Sequence, residues 1–189
     1  TYLALQGRGL KLIDTVAAPL MYPANDEADE VLWAQVSALG FPLIVKERVG
    51  SRGAQVHLVE NERELRACCA RLRHTPYICQ RFIRESAGRD VRVYVIGGEA
   101  VYALTRTGDG FLSTAAAGSK AQTVDVTPWR ESAETAAKAL HLDYAAVDFL
   151  LDGSLVEVNS NAYFTAAERL GADIAGAYAR HVVRSVYGS

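Results

Sequence analysis

The sequence is short of cysteine, of excess charge and of long apolar runs, and each shortage excludes a class of protein. Its three cysteines, Cys68, Cys69 and Cys79, form neither a disulfide framework nor a zinc-binding spacing, so we expect buried, unreactive thiols. The 20 basic and 22 acidic residues leave a net charge of -2, which provides no electrostatic footprint for nucleic acid. No apolar run approaches the roughly 20 residues that span a bilayer, and the first residues lack the ordered regions of a signal peptide. We therefore expect a cytoplasmic protein that binds neither nucleic acid nor membrane.

The composition is that of a globular protein. Half of the residues are hydrophobic and 22% are charged, which suffices for one domain or for two joined subdomains. The chain begins at Thr1 within a helical pattern, which leaves open that it is a fragment of a longer protein. A homo-oligomer is also left open.

Apolar periodicity, punctuated by glycine and proline, predicts an α+β fold. Predicted helices cover residues 2–10, 28–39, 62–72 and 174–186, with Asp26 as the N-cap of the second. A further helix follows Thr127 as its N-cap and continues through residues 133–140. Predicted strands cover residues 15–20, 41–47, 54–59, 77–83, 90–96, 99–105, 144–151 and 154–159. Residues 106–126 contain few indications of regular structure.

Two acidic residues face each other in the last predicted hairpin. If Asp152 and Gly153 form a two-residue turn, Asp148 lies directly opposite Glu157, and Asn159 lies on the same face as Glu157. The other face is apolar, with Val147, Phe149, Val156 and Val158. Opposed like charges favour a bound cation or a shared proton, and two carboxylates with an amide oxygen suit Mg²⁺. The alternative is that both acids are solvated on an exposed sheet face.

A second candidate site follows the strand that contains Lys46. Residues 50–56, with the sequence GSRGAQV, form a flexible loop whose backbone N–H groups could approach phosphates, while Lys46 adds a positive charge. No Gly-Lys-Ser/Thr sequence follows, so this is not a Walker loop. An ordinary hairpin with a solvated lysine explains the same pattern equally well.

Taken together, these motifs resemble the ATP-grasp superfamily, and within it the RimK-like branch of ribosomal-protein glutamate ligases and related amino-acid ligases. The resemblance lies in the order of six segments over residues 41–161: FPLIVKE, GSRGAQV, ICQRFI, GRDVRVYVIGGEAVYAL, AAVDFLL and LVEVNSN. It implies two α+β subdomains with antiparallel sheets that grip ATP between them. The small subdomain with its glycine-rich flap would cover residues 1–78, and the subdomain with the metal site would cover residues 79–189. The usual amino-terminal domain and an earlier ATP-contacting lysine are missing from these residues.

The resemblance also implies roles for individual residues. Lys46 and the flap residues Gly50, Ser51 and Gly53 would contact the ATP phosphates, and Arg92 would neutralise phosphate charge. The backbone of Gln80, Arg81, Phe82 and Ile83 would recognise adenine. The remaining nucleotide contacts would come from Asp90, Glu85, Arg106, Ser113 and Thr114, the two acids near the ribose. Mg²⁺, or alternatively Mn²⁺, would bind Asp148, Glu157 and Asn159.

The implied reaction is ATP-dependent ligation of a carboxylate to an amine through an acylphosphate, with release of ADP and with Lys46 and Arg92 around the phosphates. The substrates would be small molecules, peptides or proteins. Two segments depart from the family pattern: residues 110–120 have Leu112 and alanines where relatives have basic residues, and residues 160–164 replace a proline-glycine turn. These departures leave two alternatives open, namely a nucleotide-binding module that no longer catalyses and serves in regulation or assembly, and an acceptor that is not an amine.

Overall fold

A computed structural model describes residues 1–18, 26–49, 55–113 and 120–188 of the chain. Along these ranges the regular elements are α1 (Tyr2–Leu5), β1 (Thr15–Ala17), α2 (Asp26–Ser37), β2 (Leu43–Glu47), β3 (Val56–Val59), α3 (Glu62–Arg71), β4 (Tyr77–Arg81), β5 (Arg89–Ile96), β6 (Glu99–Thr107), β7 (Lys120–Val124), α4 (Arg130–Ala139), β8 (Tyr144–Phe149), β9 (Leu155–Asn159), α5 (Thr165–Arg169) and α6 (Ile174–Tyr187). None of these helices is long and apolar enough to cross a bilayer.

The chain divides into two compact units, one of Ile13–Arg84 and one of Thr1–Leu12 with Glu85–Ser189. This division differs from the boundary predicted between residues 78 and 79, which falls inside β4. Because β4 pairs with both β1 and β2, the first unit extends to the end of that strand. The first 12 residues, which we expected in the small subdomain, belong to the second unit.

The unit of residues 13–84 contains an antiparallel sheet with the strand order β1-β4-β2-β3. Its core lies between this sheet and helices α2 and α3, and includes Val36, Leu43, Val45, Leu65 and Cys79. Helix α3 begins at an N-cap, where the Asn61 side chain accepts a hydrogen bond from the backbone N–H of Glu64. This unit presents β2, with Lys46, and β4, with Gln80, as neighbouring strands.

All three cysteines are buried in this first unit, as the sequence predicts. Cys68 and Cys69 lie on α3, and Cys79 lies on β4. The neighbouring Cys69 thiol and burial raise the pKa of Cys79, and burial raises the pKa of Cys68. Thiols with raised pKa values hold little thiolate at neutral pH, so these groups are poor nucleophiles.

The second unit contains a five-stranded antiparallel sheet with the order β7-β6-β5-β8-β9. One face of this sheet packs against α1 and α4, in a core that includes Leu5, Val93, Ala136, Val147 and Phe149. The other face packs against α5 and α6 through residues such as Tyr94, Leu104, Ala146, Ala167 and Ile174. The side chains of Asp90, Arg92 and Asp148 share this second face, because alternate residues of a strand point the same way.

The amino-terminal segment closes the edge of this sheet. Helix α1 ends at Leu5, earlier than predicted, because the following turn contains Gly7 with a positive φ of 72°. Leu12 then forms an isolated parallel bridge with Leu155, and the carbonyl of Lys11 accepts a hydrogen bond from the N–H of Leu155. The Lys11 side chain also donates to the Asp152 carboxylate. These contacts attach residues 11–12 to β9 and explain their membership of the second unit.

Two elements of the second unit form where the sequence predicts none. Strand β7 is mostly polar and pairs along β6, so tertiary pairing rather than a hydrophobic pattern determines it. Helix α5 buries Ala167 and has only five residues. A helix of this length is too short for its apolar periodicity to be recognised in the sequence. At the start of α4 the prediction of Thr127 as an N-cap is wrong: a 3₁₀ turn of Thr127–Trp129 precedes the helix, and Asp125 accepts hydrogen bonds from Thr127.

Candidate functional site

The β8–β9 hairpin brings Asp148 directly opposite Glu157, as predicted, although the turn itself differs. The N–H of Gly153 donates to the carbonyl of Leu150, so Leu151 and Asp152 form the centre of the turn and Gly153 adopts a positive φ of 84°. This longer turn pairs Phe149 with Leu155 instead of with Val156. The register then shifts by one residue between Asp148 and Phe149, which leaves Val156 as the extra residue and restores the predicted pairing of Asp148 with Glu157.

Arg92 lies beside Asp148 on the neighbouring strand and forms a two-point ion pair with it. Its Nε is 2.7 Å from Oδ1 and its Nη2 is 2.7 Å from Oδ2 of the carboxylate. The Asp148 side chain is 6% exposed and the Arg92 side chain 14% exposed, so water screens this pair weakly. A two-point geometry fixes the orientation of the carboxylate as well as its charge.

Arg106 forms a second pair, with Asp90, its partner in the β5–β6 register. Its Nε is 2.8 Å from Oδ1 and its Nη2 is 2.5 Å from Oδ2 of Asp90. The same Nη2 lies 3.0 Å from Oδ2 of Asp148, and Ser113 donates a hydrogen bond of 2.5 Å to Oδ2 of Asp90. We call Asp90, Arg92, Arg106 and Asp148 the charge cluster; its two arginines and two aspartates balance in formal charge.

The charge cluster determines the protonation of Asp148 and Arg92. Burial alone would raise the pKa of Asp148, but Arg106 and Arg92 together hold the pKa of this carboxyl below its ordinary value. Burial opposes the charge of Arg92 as well, yet the hydrogen bonds and charge of Asp148 raise the pKa of the guanidinium. Asp148 is therefore a carboxylate and Arg92 a cation throughout the physiological range.

Glu157 and Asn159 extend the row of polar side chains on the same face. Glu157 is exposed, and the Asn159 amide nitrogen is 3.4 Å from Oδ2 of Asp148. Within the described part of the chain no three His, Cys, Asp or Glu side chains converge on one point. Asp148, Glu157 and Asn159 nevertheless provide two carboxylates and an amide, the hard oxygen donors that suit Mg²⁺, with phosphate oxygens and water completing its coordination. Oδ1 of Asp148, which accepts a hydrogen bond from Nε of Arg92, retains a second lone pair for a cation, so this donor set fits the metal.

Two tyrosines, buried Tyr94 and half-buried Tyr144, connect the charge cluster to the segment after Asn159. The Tyr94 hydroxyl lies beside the Arg92 guanidinium and donates to the carbonyl of Tyr163, at 3.1 Å. The Tyr144 hydroxyl donates to the carbonyl of Ala162, at 2.8 Å. Both tyrosines belong to strands of the sheet, so the segment of residues 160–164 is held on a rigid support. Sequence reasoning missed these two residues because each reads as an ordinary apolar position of a strand.

The other residues of the second unit that were predicted to contact the nucleotide are Glu85, Ser113 and Thr114. Glu85 is exposed within the 3₁₀ turn Arg84–Ser86, and its carbonyl accepts a hydrogen bond from Arg89. Ser113 contacts Asp90, as described above. Thr114, together with the flap residues Gly50, Ser51 and Gly53 of the first unit, lies outside the described residues.

The first unit holds the residues predicted to contact adenine and phosphate. Lys46 is half-buried on β2, opposite Val56 and Ile78. Gln80 is buried in the central strand, and its amide donates to the hydroxyl of Thr15. The N–H of Arg81 donates to the carbonyl of Asp14.

Beyond Arg81 the strand ends, and Phe82 and Ile83 are half-buried residues that follow it. The ladder pairs of β4 include Gln80 and end at Arg81, so the backbone groups of Phe82 and Ile83 lie outside the ladder.

Comparisons with known proteins identify the family of this chain. A family model described as the RimK-like ATP-grasp domain matches residues 7–182. N-acetylaspartylglutamate synthase A of Homo sapiens is 30% identical over 177 residues, which cover 89% of this chain and 44% of that protein. A probable alpha-L-glutamate ligase of Parasynechococcus marenigrum is 35% identical over 157 residues, which cover 78% of this chain and 34% of that protein. The chain thus spans less than half the length of these curated relatives.

A solved structure shares the fold of this chain. The ATP-grasp ligase PsnB, in a complex with a phosphomimetic variant of its minimal precursor, Mg and ADP, aligns with a TM-score of 0.72 at 23% identity. The alignment covers 97% of this chain and 57% of that protein. The two antiparallel sheets and their helices therefore form an ATP-grasp fold. Because the family model matches nearly the whole of this chain, the chain belongs to the RimK-like ATP-grasp domain family.

Proposed function

We propose that the protein containing this chain is an ATP- and Mg²⁺-dependent ligase that joins a carboxylate to an amine through an acylphosphate and releases ADP. Relatives are named as a synthase of N-acetylaspartylglutamate and as a probable alpha-L-glutamate ligase. The observation that supports catalysis in this chain is the row of Arg92, Asp148 and Glu157 across β5, β8 and β9. A sheet face that only packed against helices would have no reason to bury the charges of Arg92 and Asp148.

In this proposal Asp148, Glu157 and Asn159 would hold Mg²⁺, or Mn²⁺ in its place. The ion would neutralise charge on the ATP phosphates when it is bound. Asp148 is suited to this role because Arg92 and Arg106 keep it ionised and fix its orientation. Glu157 is suited because it is exposed and directly opposite.

Arg92 would stabilise the phosphoryl group during transfer. Its two bonds to Asp148 use Nε and Nη2, whereas a guanidinium has five N–H donors, so donors remain for phosphate oxygens. The pair with Asp148 fixes the guanidinium before the nucleotide binds, and such preorganised charge lowers the barrier to phosphoryl transfer. Substitution of Arg92 should therefore reduce kcat more than it reduces ATP affinity.

The first unit would bind the rest of the nucleotide. We propose that Lys46 contacts the phosphates with the loop of Gly50, Ser51 and Gly53, and that the backbone of Phe82 and Ile83 contacts adenine. Exposed Glu85 remains the candidate for the ribose hydroxyls.

A nucleotide-binding module without catalysis is the second candidate function. The family resemblance implies a basic stretch within residues 110–120, where this chain has Leu112 and several alanines. If those basic residues are needed for turnover, this chain would bind Mg-ATP without consuming it. The retained charge cluster favours the ligase.

The two candidates are separated by an assay of ADP release. The longest available form of the protein is incubated with Mg-ATP, glutamate as the amine and N-acetylaspartate or citrate as the carboxylate, with mass spectrometry of the products. A ligase releases ADP only when both substrates are present, and Glu157→Gln abolishes the release. Mg-ATP binding without ADP release for any carboxylate, amine or hydroxyl partner would support the module and contradict the ligase.

A further inference from the structure

We propose that Asp90 and Arg106 form a positioning pair for Asp148, in which Asp90 limits how closely Arg106 binds Asp148. This inference rests on the proposed function for the role of Asp148, but its geometry stands by itself. It assigns Asp90 a role different from the contact with ribose that the sequence resemblance implies.

The carboxylate of Asp90 is enclosed. Residue Asp90 is 8% exposed, and both of its oxygens accept hydrogen bonds from Arg106. Oδ2 also accepts a hydrogen bond from Ser113. Three donors occupy three of the roughly four lone-pair sites of this carboxylate, so it offers a ribose hydroxyl at most one site, on the enclosed Oδ1.

Arg106 connects this carboxylate to Asp148. Arg106 lies on β6 and Asp148 on β8, with β5 between them, so the long arginine side chain reaches across one strand. Its Nη2 is closer to Oδ2 of Asp90, at 2.5 Å, than to Oδ2 of Asp148, at 3.0 Å. Asp90 therefore holds the guanidinium mainly on itself and leaves a weaker contact with Asp148.

The charges explain why this matters. Asp148 already has Arg92 as a two-point partner. If Asp90 lost its charge, Arg106 would turn fully towards Asp148, and two guanidinium groups would then compete with a divalent cation for one carboxylate. With Asp90 ionised, the charge cluster is neutral in sum and Asp148 retains affinity for a cation.

Removal of the Asp90 charge should consequently weaken binding of Mg²⁺ and not recognition of the sugar. Residues that orient a metal ligand typically change metal affinity by about 10–100-fold when substituted. We expect Asp90→Asn to raise the Mg²⁺ concentration needed for half-maximal ATP binding by on the order of tenfold. The ratio of the affinities for ATP and 2′-deoxy-ATP should stay as in the wild type.

The pair itself is tested by NMR of the arginine Nε–H groups, which needs no nucleotide. Asp90→Asn should shift the signals of both Arg106 and Arg92, since Arg92 shares Asp148 with Arg106. In an Arg106→Gln background Asp90→Asn should shift the Arg92 signal far less, since only the direct charge effect of Asp90 remains. Ser113→Ala, which removes one hydrogen bond from Asp90, should shift the same signals less and serves if Asp90→Asn folds poorly. Arg89→Gln, at an exposed neighbouring position, is the matched control.

Two results would overturn the proposal. One is a shift of the Arg92 signal by Asp90→Asn that is as large without Arg106 as with it, because Asp90 would then act by another route. The other is loss of the preference for ATP over 2′-deoxy-ATP in Asp90→Asn, which would establish a ribose contact. Absence of Mg-ATP binding by the wild-type protein would contradict the proposed function, while the NMR signals would still decide whether Asp90 acts through Arg106.

Discussion

Arg92 and Asp148, adjacent across β5 and β8, hold each other through two hydrogen bonds of 2.7 Å in a nearly water-free setting. This pair makes Asp148 a structural residue as well as a candidate metal ligand. The two roles have different consequences for mutation, because removal of one partner leaves a buried charge without compensation.

Asp148→Asn should therefore destabilise the second unit. Breaking a buried ion pair typically costs about 3–5 kcal/mol, and here two arginines lose their shared carboxylate. Urea unfolding followed by circular dichroism measures the change. Arg130→Gln, which breaks an exposed pair with Glu134, is the matched control and should change the free energy of unfolding far less. Equal effects of the two substitutions would contradict the burial of the Asp148 pair.

Acid should weaken the protein through the same residue. The folded state lowers the pKa of Asp148, so its contribution to stability is complete above the unfolded value of about 3.9 and is lost as the pH falls through the lower folded value. Unfolding free energies measured from pH 6 to pH 2 should fall less steeply in Asp148→Asn than in the wild type. Parallel curves for the two proteins would show that this carboxyl is not stabilised by folding.

Alkali should act through Tyr144. Burial raises the pKa of this hydroxyl to about 12, and the hydroxyl donates to the Ala162 carbonyl. A raised pKa gives a contribution to stability that is complete below the unfolded value of about 10 and is lost as the pH rises through about 12. Tyr144→Phe cannot ionise, so its stability should depend less on pH in this range. The test is a series of chemical unfolding curves, and an unchanged alkaline slope would contradict the assignment.

Phe149 provides the opposite case, a residue of β8 that affects stability and not the metal. It is 1% exposed in the core beneath α4, so Phe149→Ala should cost about 3–5 kcal/mol. At a temperature well below its melting temperature, where the variant is folded, its ATP binding should keep the Mg²⁺ dependence of the wild type. A melting temperature equal to that of the wild type would mean that the faces of this hairpin are assigned wrongly.

The facing pair Asp148 and Glu157 illustrates what the sequence could predict. The Asp152-Gly153 signal located the hairpin and the alternation located its apolar face, yet the turn is one residue longer and an irregularity at Phe149 compensates for it. A sequence contains no local signal for such compensation, because it depends on how the whole strand pairs. The predicted pairing of Asp148 with Glu157 is correct because the longer turn and the irregularity shift the register by one residue in opposite directions.

The charge cluster illustrates what the sequence could not predict. Strand parity placed Asp90 and Arg92 on one face, but the partner of each depends on the order of strands in the sheet. In that order β5 lies between β6 and β8, so Asp90 pairs with Arg106 on one side and Arg92 pairs with Asp148 on the other. Pattern within a segment contains no information on such long-range neighbours.

The central claim, a Mg-ATP site on the face of β8 and β9, is tested most directly by calorimetric titration of ATP with and without Mg²⁺ into the wild type and Glu157→Gln. Glu157 is the better variant because it is exposed, so its replacement should leave the fold intact. We predict Mg²⁺-dependent binding by the wild type that is greatly weakened in Glu157→Gln. Binding with the same affinity and the same Mg²⁺ dependence in both proteins would contradict the site.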